Sequence, residues 1–341
     1  MAQPNPVTID YYSIAVIVPF RNEEQNIERL IQSLLSLNYP KDKLEIILIN
    51  DHSSDQSVDV VNKINSPNIQ LLNLMQQDKG KKKAITRGIE KAIAEIIVTT
   101  DADCVHHPDW LVSINSLFSG GQTQMVVGAV AMSYDSSFFS KLQAIEFSSL
   151  IGSGAALLQW NVPAMANGAN LAFRKSAFHK VRGYEGNEHI ASGDDEYLLR
   201  KIFNAFPGSV IFNSNPNSIV QTQSQPSMYS FLQQRLRWAG KWKYNPDMKA
   251  KLVAALVFIF QLAFIALIVI TLINPSPSLR FIALAKIGID GIFLWRVCGF
   301  LKSRFSFLAF VLLEFIYPVY VILIAVLSLF SNYSWKGRVV R

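Results

Sequence analysis

Four short apolar runs, each broken off by a polar cluster, govern what this chain can fold into. Residues 14–20 are apolar throughout. They lead to Arg21-Asn22-Glu23-Glu24 and a helical pattern of Ile27, Leu30, Ile31, Leu34 and Leu35. Residues 45–49 run into Asn50-Asp51-His52-Ser53-Ser54-Asp55, whose short polar side chains suit the N-cap of a following helix. The third run, 69–74, is followed by Lys79-Gly80-Lys81-Lys82-Lys83 and a predicted helix over 84–94. The fourth, beginning at Ile96, ends in Asp101-Ala102-Asp103. Regular alternation of strand and helix patterns predicts an α/β fold around a mostly parallel sheet covered on both faces. Ligands of such sheets bind beyond the carboxyl ends of the strands, where each of these polar clusters falls.

The chemistry these clusters suit is narrow. In an extended chain residues i and i+2 face the same way, so Asp101 and Asp103 can converge on one cation. Carboxylate oxygens of this kind suit Mg²⁺ or Mn²⁺, which keep waters and substrate phosphates as further ligands. An ordinary acidic turn is the alternative. Asp51 and Asp55 read either as helix caps or as ligand contacts. The lysines at 79, 81, 82 and 83 read as a solvated face or, at a helix N-terminus, as a phosphate site. No G-x-x-x-x-G-K-[ST] loop is present, and no G-x-G-x-x-G follows the first strand. The net charge of +7 and pI near 9.3 come from Lys and Arg around these loops and beside hydrophobic segments. That distribution favours nucleotide phosphates and anionic headgroups over nucleic acid. The two cysteines, Cys104 and Cys298, have no Cys or His at ligand spacing, which argues against a disulfide framework or zinc site. Residues 1–12 lack the apolar core of a signal peptide, so the first domain is expected to stay in the cytosol.

Further along, 125–132 reads as a strand and 136–158 as a helix with Phe138, Phe139, Leu142, Ile145, Phe147, Leu150 and Ile151, either a membrane-surface helix or a core helix. The small residues of Ala166-Asn167-Gly168-Ala169-Asn170-Leu171-Ala172-Phe173-Arg174 would let a ligand approach the backbone. Ser192-Gly193-Asp194-Asp195-Glu196 heads a helix, as dipole complement or as the seat of a base. Over 229–242, Gln234, Arg237 and Trp238 share one helical face. Trp suits a sugar ring and Arg a diphosphate. The same helix could instead rest on lipid with Arg235, Lys241 and Lys243 toward headgroups. Residues 252–273 carry no charge and are long enough to span a bilayer. A second span is expected over 307–330, which includes Glu314 and Pro318, and a third over 281–301, where Lys286 and Asp290 are spaced to pair. Three spans leave Lys336, Arg338 and Arg341 outside. Two spans strand Arg280, Lys302 and Arg304 there instead.

In order, Val18-Pro19-Phe20-Arg21-Asn22-Glu23-Glu24, Asn50 to Asp55, Gly80-Lys81, Asp101-Ala102-Asp103, Asp194-Asp195 and Gln234-x-x-Arg237-Trp238 resemble the family-2 inverting glycosyltransferases across 14–242. The apolar C-terminal part resembles that of the family's integral-membrane members. The resemblance implies a GT-A fold that uses a nucleotide-diphosphate sugar, usually a UDP-sugar, and Mg²⁺ or Mn²⁺. It puts Pro19, Arg21 and Glu23 in the nucleotide pocket, Asp51 on the base, Lys81 near the phosphates and Asp101 on the ribose or metal side. Asp103 would bind the metal and Asp195 would be the general base beside Asp194. Gln234, Arg237 and Trp238 would hold the diphosphate and the end of the acceptor. His52 stands where the family usually has Gly, and Asp194 where Glu is commoner.

The expected organisation is a cytosolic catalytic domain over 1–225, an amphipathic interface helix over 226–250 and a membrane region over 251–341. The expected partners are a nucleotide-sugar donor, a lipid-linked or glycan acceptor, membrane lipids and other cell-envelope glycan enzymes, at the inner membrane and without nucleic acid. A processive polysaccharide synthase, a nucleotidyltransferase and a non-catalytic membrane scaffold are the competing readings. Few spans follow the motif, which favours single-sugar transfer over a self-contained polymer channel.

Overall fold

The computed structural model describes residues 10–64, 66–133, 137–188, 190, 193–240, 247–330, 333–335 and 338–340. The chain begins with β1 (Ile14–Phe20), α1 (Ile27–Leu35), β2 (Leu44–Asn50), α2 (Ser57–Asn62), β3 (Ile69–Asn73), α3 (Lys81–Lys91), β4 (Ile96–Thr99) and α4 (Trp110–Phe118). It continues with β5 (Met125–Gly128), β6 (Val130–Ser133), α5 (Phe138–Gln159), β7 (Leu171–Arg174), α6 (Lys175–Lys180), α7 (Asp194–Ala205), β8 (Val210–Asn213) and β9 (Val220–Gln223). The last elements are α8 (Met228–Gly240), α9 (Met248–Ile273), α10 (Pro277–Phe300), α11 (Phe307–Phe330), β10 (Tyr333–Trp335) and β11 (Arg338–Val340). The chain divides into two units. One comprises Met1–Gly128, Gly168–Gly183 and Lys201–Ser218, the other Ala129–Asn167, Tyr184–Arg200 and Ile219–Arg341.

The first unit holds a seven-stranded sheet in the order β3-β2-β1-β4-β7-β5-β8. The first four strands are mutually parallel, and β7 runs antiparallel to both β4 and β5. Ile14 to Val18 and Ile46 to Ile49 are fully buried, as strands covered on both faces must be. Register does the rest. Phe20 pairs with Asn50 and Asn50 with Asn73, so the loops after β1, β2 and β3 leave the sheet level with one another. Pro19 lies beyond the last β1–β4 pair, where its missing N–H costs that ladder nothing. The α1 stripe Ile27, Leu30, Ile31 and Leu34 is fully buried, as its 3–4 spacing predicts.

Several expected boundaries move. Residues 125–132 form two strands, β5 in the large sheet and β6 paired with β9 in the second unit. The expected helix over 84–94 begins at Lys81, directly after Gly80 with its left-handed φ of 95°, and ends at Lys91, where Ala92 turns extended. Residues 171–174, read as a ligand approach, are the buried strand β7.

In the second unit α5 packs as a core helix. Ile145 is buried with Leu294, Ala309 and Phe310, and Phe147 is 4% exposed, although Phe138 faces outward. Asp247 caps α9 by accepting the N–H groups of Lys249 and Ala250. Met248–Ile273 and Phe307–Ser328 are long and apolar enough to cross a membrane. The expected third segment is the helix α10, which its composition keeps below that standard. Lys241, Trp242, Lys243, Lys336 and Arg341 lie outside the described residues.

Gly128 marks the tightest backbone approach in the large sheet. A Cβ there would lie 2.2 Å from Asn170 Cγ, whereas one at Gly120 meets nothing within 4 Å. Gly128→Ala is expected to lower stability by about 1–3 kcal/mol in denaturant melts of the solubilised protein, and Gly120→Ala to leave it nearly unchanged.

Candidate functional site

The loops that leave β1 and β2 are sewn together by side chains that satisfy backbone groups. Arg21 Nη1 donates to the carbonyl oxygens of Asp51 (2.8 Å) and His52 (2.5 Å). Asn22 N–H donates to Ser53 Oγ (3.0 Å), and Asn22 Oδ1 accepts from Ser54 N–H (2.8 Å). Glu23 N–H donates to Ser57 Oγ (2.7 Å), while the Glu23 carboxylate accepts from Asn26 Nδ2 (2.9 Å). Asp55 accepts from Glu24 N–H and from the Ser57 hydroxyl. Burial opposes ionisation of Asp55, but these bonds outweigh it and hold its pKa below the usual carboxylate value. So Asp55 serves the loop as well as the helix start.

His52 adopts φ 56°, the left-handed conformation that Gly takes readily. Its ring Nε2 lies 2.9 Å from the Asp78 carbonyl oxygen, a hydrogen bond Gly could not make. Asp51 is 2% exposed, and its Oδ2 accepts from Gly80 N–H at 3.1 Å. The next residue, Lys81, donates to Asp101 Oδ1 at 2.7 Å. Direct contacts therefore run without a break from Arg21 through Asp51 and Gly80-Lys81 to Asp101. The lysine run is not a uniform solvated face. Lys82 is 7% exposed, and Lys83 lies 3.8 Å from Asp78.

Asp101 and Asp103 are not on an extended strand. β4 ends at Thr99, and Ala102-Asp103 forms a turn closed by Cys104 N–H to the Asp101 carbonyl at 3.2 Å. Period-two alternation is thus the wrong reason for grouping these carboxylates; a turn, not a strand, sets where they stand. Both are half-buried. Among the described residues no group of three or more His, Cys, Asp or Glu is arranged to hold a metal. Two half-buried carboxylates fit Mg²⁺ or Mn²⁺ only where substrate phosphates complete the coordination.

Beneath this turn lies a polar network that the sequence did not reveal. His106, 5% exposed, has Nε2 2.8 Å from Thr100 Oγ1 and Nδ1 3.1 Å from Ser33 Oγ. Its ring lies tilted against that of Trp110, with 4.1 Å between centroids. Trp110 Nε1 donates to Asn170 Oδ1 at 3.0 Å, and Asn170 Nδ2 to the Ser218 carbonyl at 2.8 Å. Thr99 Oγ1 reaches the Gly168 carbonyl at 2.8 Å. In the stretch Val105-His106-His107-Pro108 nothing in the sequence marks His106 for such a role. Burial lowers its pKa to about 3, so the ring is neutral.

In the second unit the three acids occupy the first turn of α7, where the helix dipole favours them. Asp194 and Glu196 are buried, whereas Asp195 is half-buried and accepts from Glu196 N–H at 2.8 Å. Ser192 lies outside the described residues. Burial, then the charges of Asp194 and Asp195, push the Tyr184 pKa well up, which keeps that phenol protonated beside the acids.

Gln234, Arg237 and Trp238 lie on α8 as expected, all half-buried. The residue between them is the surprise. Arg235 does not turn to headgroups, since it is 4% exposed and forms a two-point ion pair with the buried Glu146 of α5. Gln234 Oε1 accepts from Arg235 Nη1 at 2.5 Å, and the guanidinium lies 4.3 Å from the Trp238 ring and 4.5 Å from the Phe231 ring. A buried charge needs such a partner. Burying Arg235 is therefore possible only because Glu146, almost ninety residues earlier, is buried with it.

The sheet order and the loop-borne site at its carboxyl edge define a GT-A type α/β fold. The mannosyltransferase PcManGT of Pyrobaculum calidifontis, solved with GDP-Man and Mn²⁺, superposes with a TM-score of 0.56 at 18% identity, covering 94% of this chain and 88% of that one. Residues 15–182 match the Glycosyl transferase family 2 model, so the chain carries a domain of that family. Among curated relatives, the probable glycosyltransferase YdaM of Bacillus subtilis is 27% identical over 244 residues, 68% of this chain and 55% of the relative. The poly-β-1,6-N-acetyl-D-glucosamine synthase of Staphylococcus aureus is 32% identical over 140 residues, 41% of this chain and 34% of the relative. The chain thus spans about half the length of the first and a third of the second.

The His106 network carries a pH signature. The group titrates near 6.5 when unfolded and near 3 when folded, so the stability it supports is complete above pH 6.5 and declines as pH falls toward 3. The stability advantage of the native chain over His106→Gln is expected to shrink by about 2 kcal/mol between neutrality and roughly pH 5. A constant difference in denaturant titrations over that interval contradicts a neutral, buried imidazole.

Proposed function

We propose that the chain is a membrane-bound inverting glycosyltransferase. It would transfer a sugar from a nucleoside-diphosphate sugar, a UDP-sugar in the first instance, to a hydroxyl of a lipid-linked or membrane-proximal glycan acceptor. The observation that carries this reading is the unbroken line of contacts from Arg21 through Asp51 and Gly80-Lys81 to Asp101. Four sequence-distant clusters meet there at the edge where parallel sheets bind ligands.

In this reading Pro19, Arg21 and Glu23 shape the nucleotide pocket, and Asp51 stands on its base side. Lys81, 2.7 Å from Asp101, would serve the diphosphate. Asp103, with Asp101, would hold Mg²⁺ or Mn²⁺ together with the donor's phosphates. Such a cation offsets the negative charge that grows on the leaving diphosphate. Asp195 takes the proton from the acceptor hydroxyl as that oxygen attacks the anomeric carbon, while the bond to the diphosphate breaks on the opposite face and configuration inverts. Its carboxylate is half-buried while those of Asp194 and Glu196 are buried, which supports choosing it among the three. Arg237 supplies positive charge to the diphosphate, and Gln234 and Trp238 receive the acceptor's end.

A second reading, processive synthesis, has support from the 32% identity to the poly-β-1,6-N-acetyl-D-glucosamine synthase. A product of uniform size favours single addition and a ladder favours the synthase.

The reading is tested by incubating the solubilised full chain with labelled nucleotide sugars, Mn²⁺ and a bacterial lipid extract. Asp195→Asn is expected to cut transfer about 10²-fold or more while donor binding persists. A folded Asp195→Asn protein that transfers at the native rate overturns the assignment.

A further inference from the structure

By composition α10 does not qualify as a membrane span, because Arg280, Lys286, Asp290 and Arg296 interrupt it. Where those charges point changes the conclusion. Lys286 Nζ lies 2.5 Å from Glu314 Oε2 of α11 and 2.9 Å from Asp290 Oδ2 one turn on, with its side chain only 13% exposed and that of Glu314 7%. The same ammonium sits 4.0 Å from the centre of the Phe264 ring of α9. Lys286 is thus shared among three helices, and its charge is answered inside the bundle.

The outward face is the reverse. Between Arg280 and Arg296 the exposed residues of α10 are apolar (Phe281, Ile282, Leu284, Gly288, Ile289, Ile292, Phe293 and Trp295), and the one charge that reaches this face is the Asp290 carboxylate, whose side chain is 40% exposed and which Lys286 holds at 2.9 Å. The two exposed arginines are about 24 Å apart along the helix, and each lies within a turn of an end. There a long side chain can carry its charge to the headgroups. The whole helix is about 36 Å long, enough for the hydrocarbon core.

Direction completes the case. Phe264 and Lys286 stand equally far in sequence from Pro275, so α10 returns antiparallel along α9. Gly291 meets Phe310 five residues after Lys286 meets Glu314, so α11 runs antiparallel to α10 in turn.

We infer that α10 is a membrane span whose outward band, bounded by Arg280 and Arg296, lies against lipid acyl chains, and whose Lys286 is met inside the bundle by Glu314 of α11, by Asp290 one turn on and by the Phe264 ring of α9. The inference rests on the membrane-bound reading of the chain. It returns Lys302 and Arg304 to the side where α9 begins, in keeping with the positive-inside tendency. It also places the end of α11 on the opposite side.

The test uses the full chain in a bacterial inner membrane with single cysteines introduced at the helix ends. Cys104 and Cys298 are both buried and are replaced by Ser. Ser276→Cys is expected to react with a membrane-impermeant maleimide on intact spheroplasts, and Ser303→Cys only after permeabilisation. Labelling of both on intact spheroplasts overturns the inference, because α10 then lies on the outer surface between two spans. If neither labels until permeabilisation, the inference fails together with the membrane-bound reading, which separates the two failures. Asn274→Cys and Lys302→Cys provide a second pair should either first variant fail to accumulate.

Discussion

Arg21 holds two backbone carbonyls of a neighbouring loop with one guanidinium nitrogen, and the candidate site depends on that contact. Loops at the carboxyl edge of a parallel sheet have no ladder to satisfy their N–H and C=O groups. Here side chains supply the partners. Arg21 meets the Asp51 and His52 carbonyls, Asn22 and Asn50 cap the amides of Ser54 and Ser53, and Asp51 takes Gly80 N–H. The residues proposed to receive the nucleotide are largely those that hold these loops in shape, so a nucleotide pocket at this edge would be built before a donor enters. Such preorganisation spares the donor the entropy of ordering three loops.

Much of this was legible because parallel strands buried on both faces leave a plain signature of unbroken apolar runs ending in polar clusters. The loops after β1, β2 and β4 fell where Arg21, Asp51 and Asp101 had been expected. What failed was geometry at the ends of elements. Asp101 and Asp103 had been grouped by strand alternation, yet β4 stops at Thr99 and a turn sets their placement. Turn geometry is decided by bonds such as Cys104 N–H to Asp101 O, which sequence spacing does not encode. The 125–132 run looked like one strand because its hydrophobicity is continuous, while its two halves pair with different partners. His52 shows the converse. It departs from the usual Gly yet adopts the left-handed backbone that Gly would take, with a ring-to-carbonyl bond as compensation.

Charge inside the second unit follows one rule that composition hides. In sequence Arg235 looks like a residue for headgroups and Lys286 like a partner for Asp290. Arg235 is instead buried against Glu146 of a distant helix, and Lys286, which does meet Asp290, also reaches Glu314 of the next helix. Pairing across tens of residues is invisible to local periodicity, and it reverses what both helices present outward. In α8 it also explains the packing of the motif. Gln234 and Trp238 both contact the Arg235 guanidinium, so the two residues proposed for the acceptor are fixed through a third that neither spacing nor resemblance singled out.

The central claim is that the edge from Arg21 to Asp103 receives a nucleotide sugar together with a divalent cation. Its most direct measurement is ligand-induced thermal stabilisation of the solubilised full chain against a panel of nucleotide sugars, with Mn²⁺ and with chelator. The expected result is a metal-dependent rise in Tm for one donor that disappears in Asp103→Ala. A folded chain that no member of the panel stabilises, or a shift that survives Asp103→Ala and chelator alike, would contradict it.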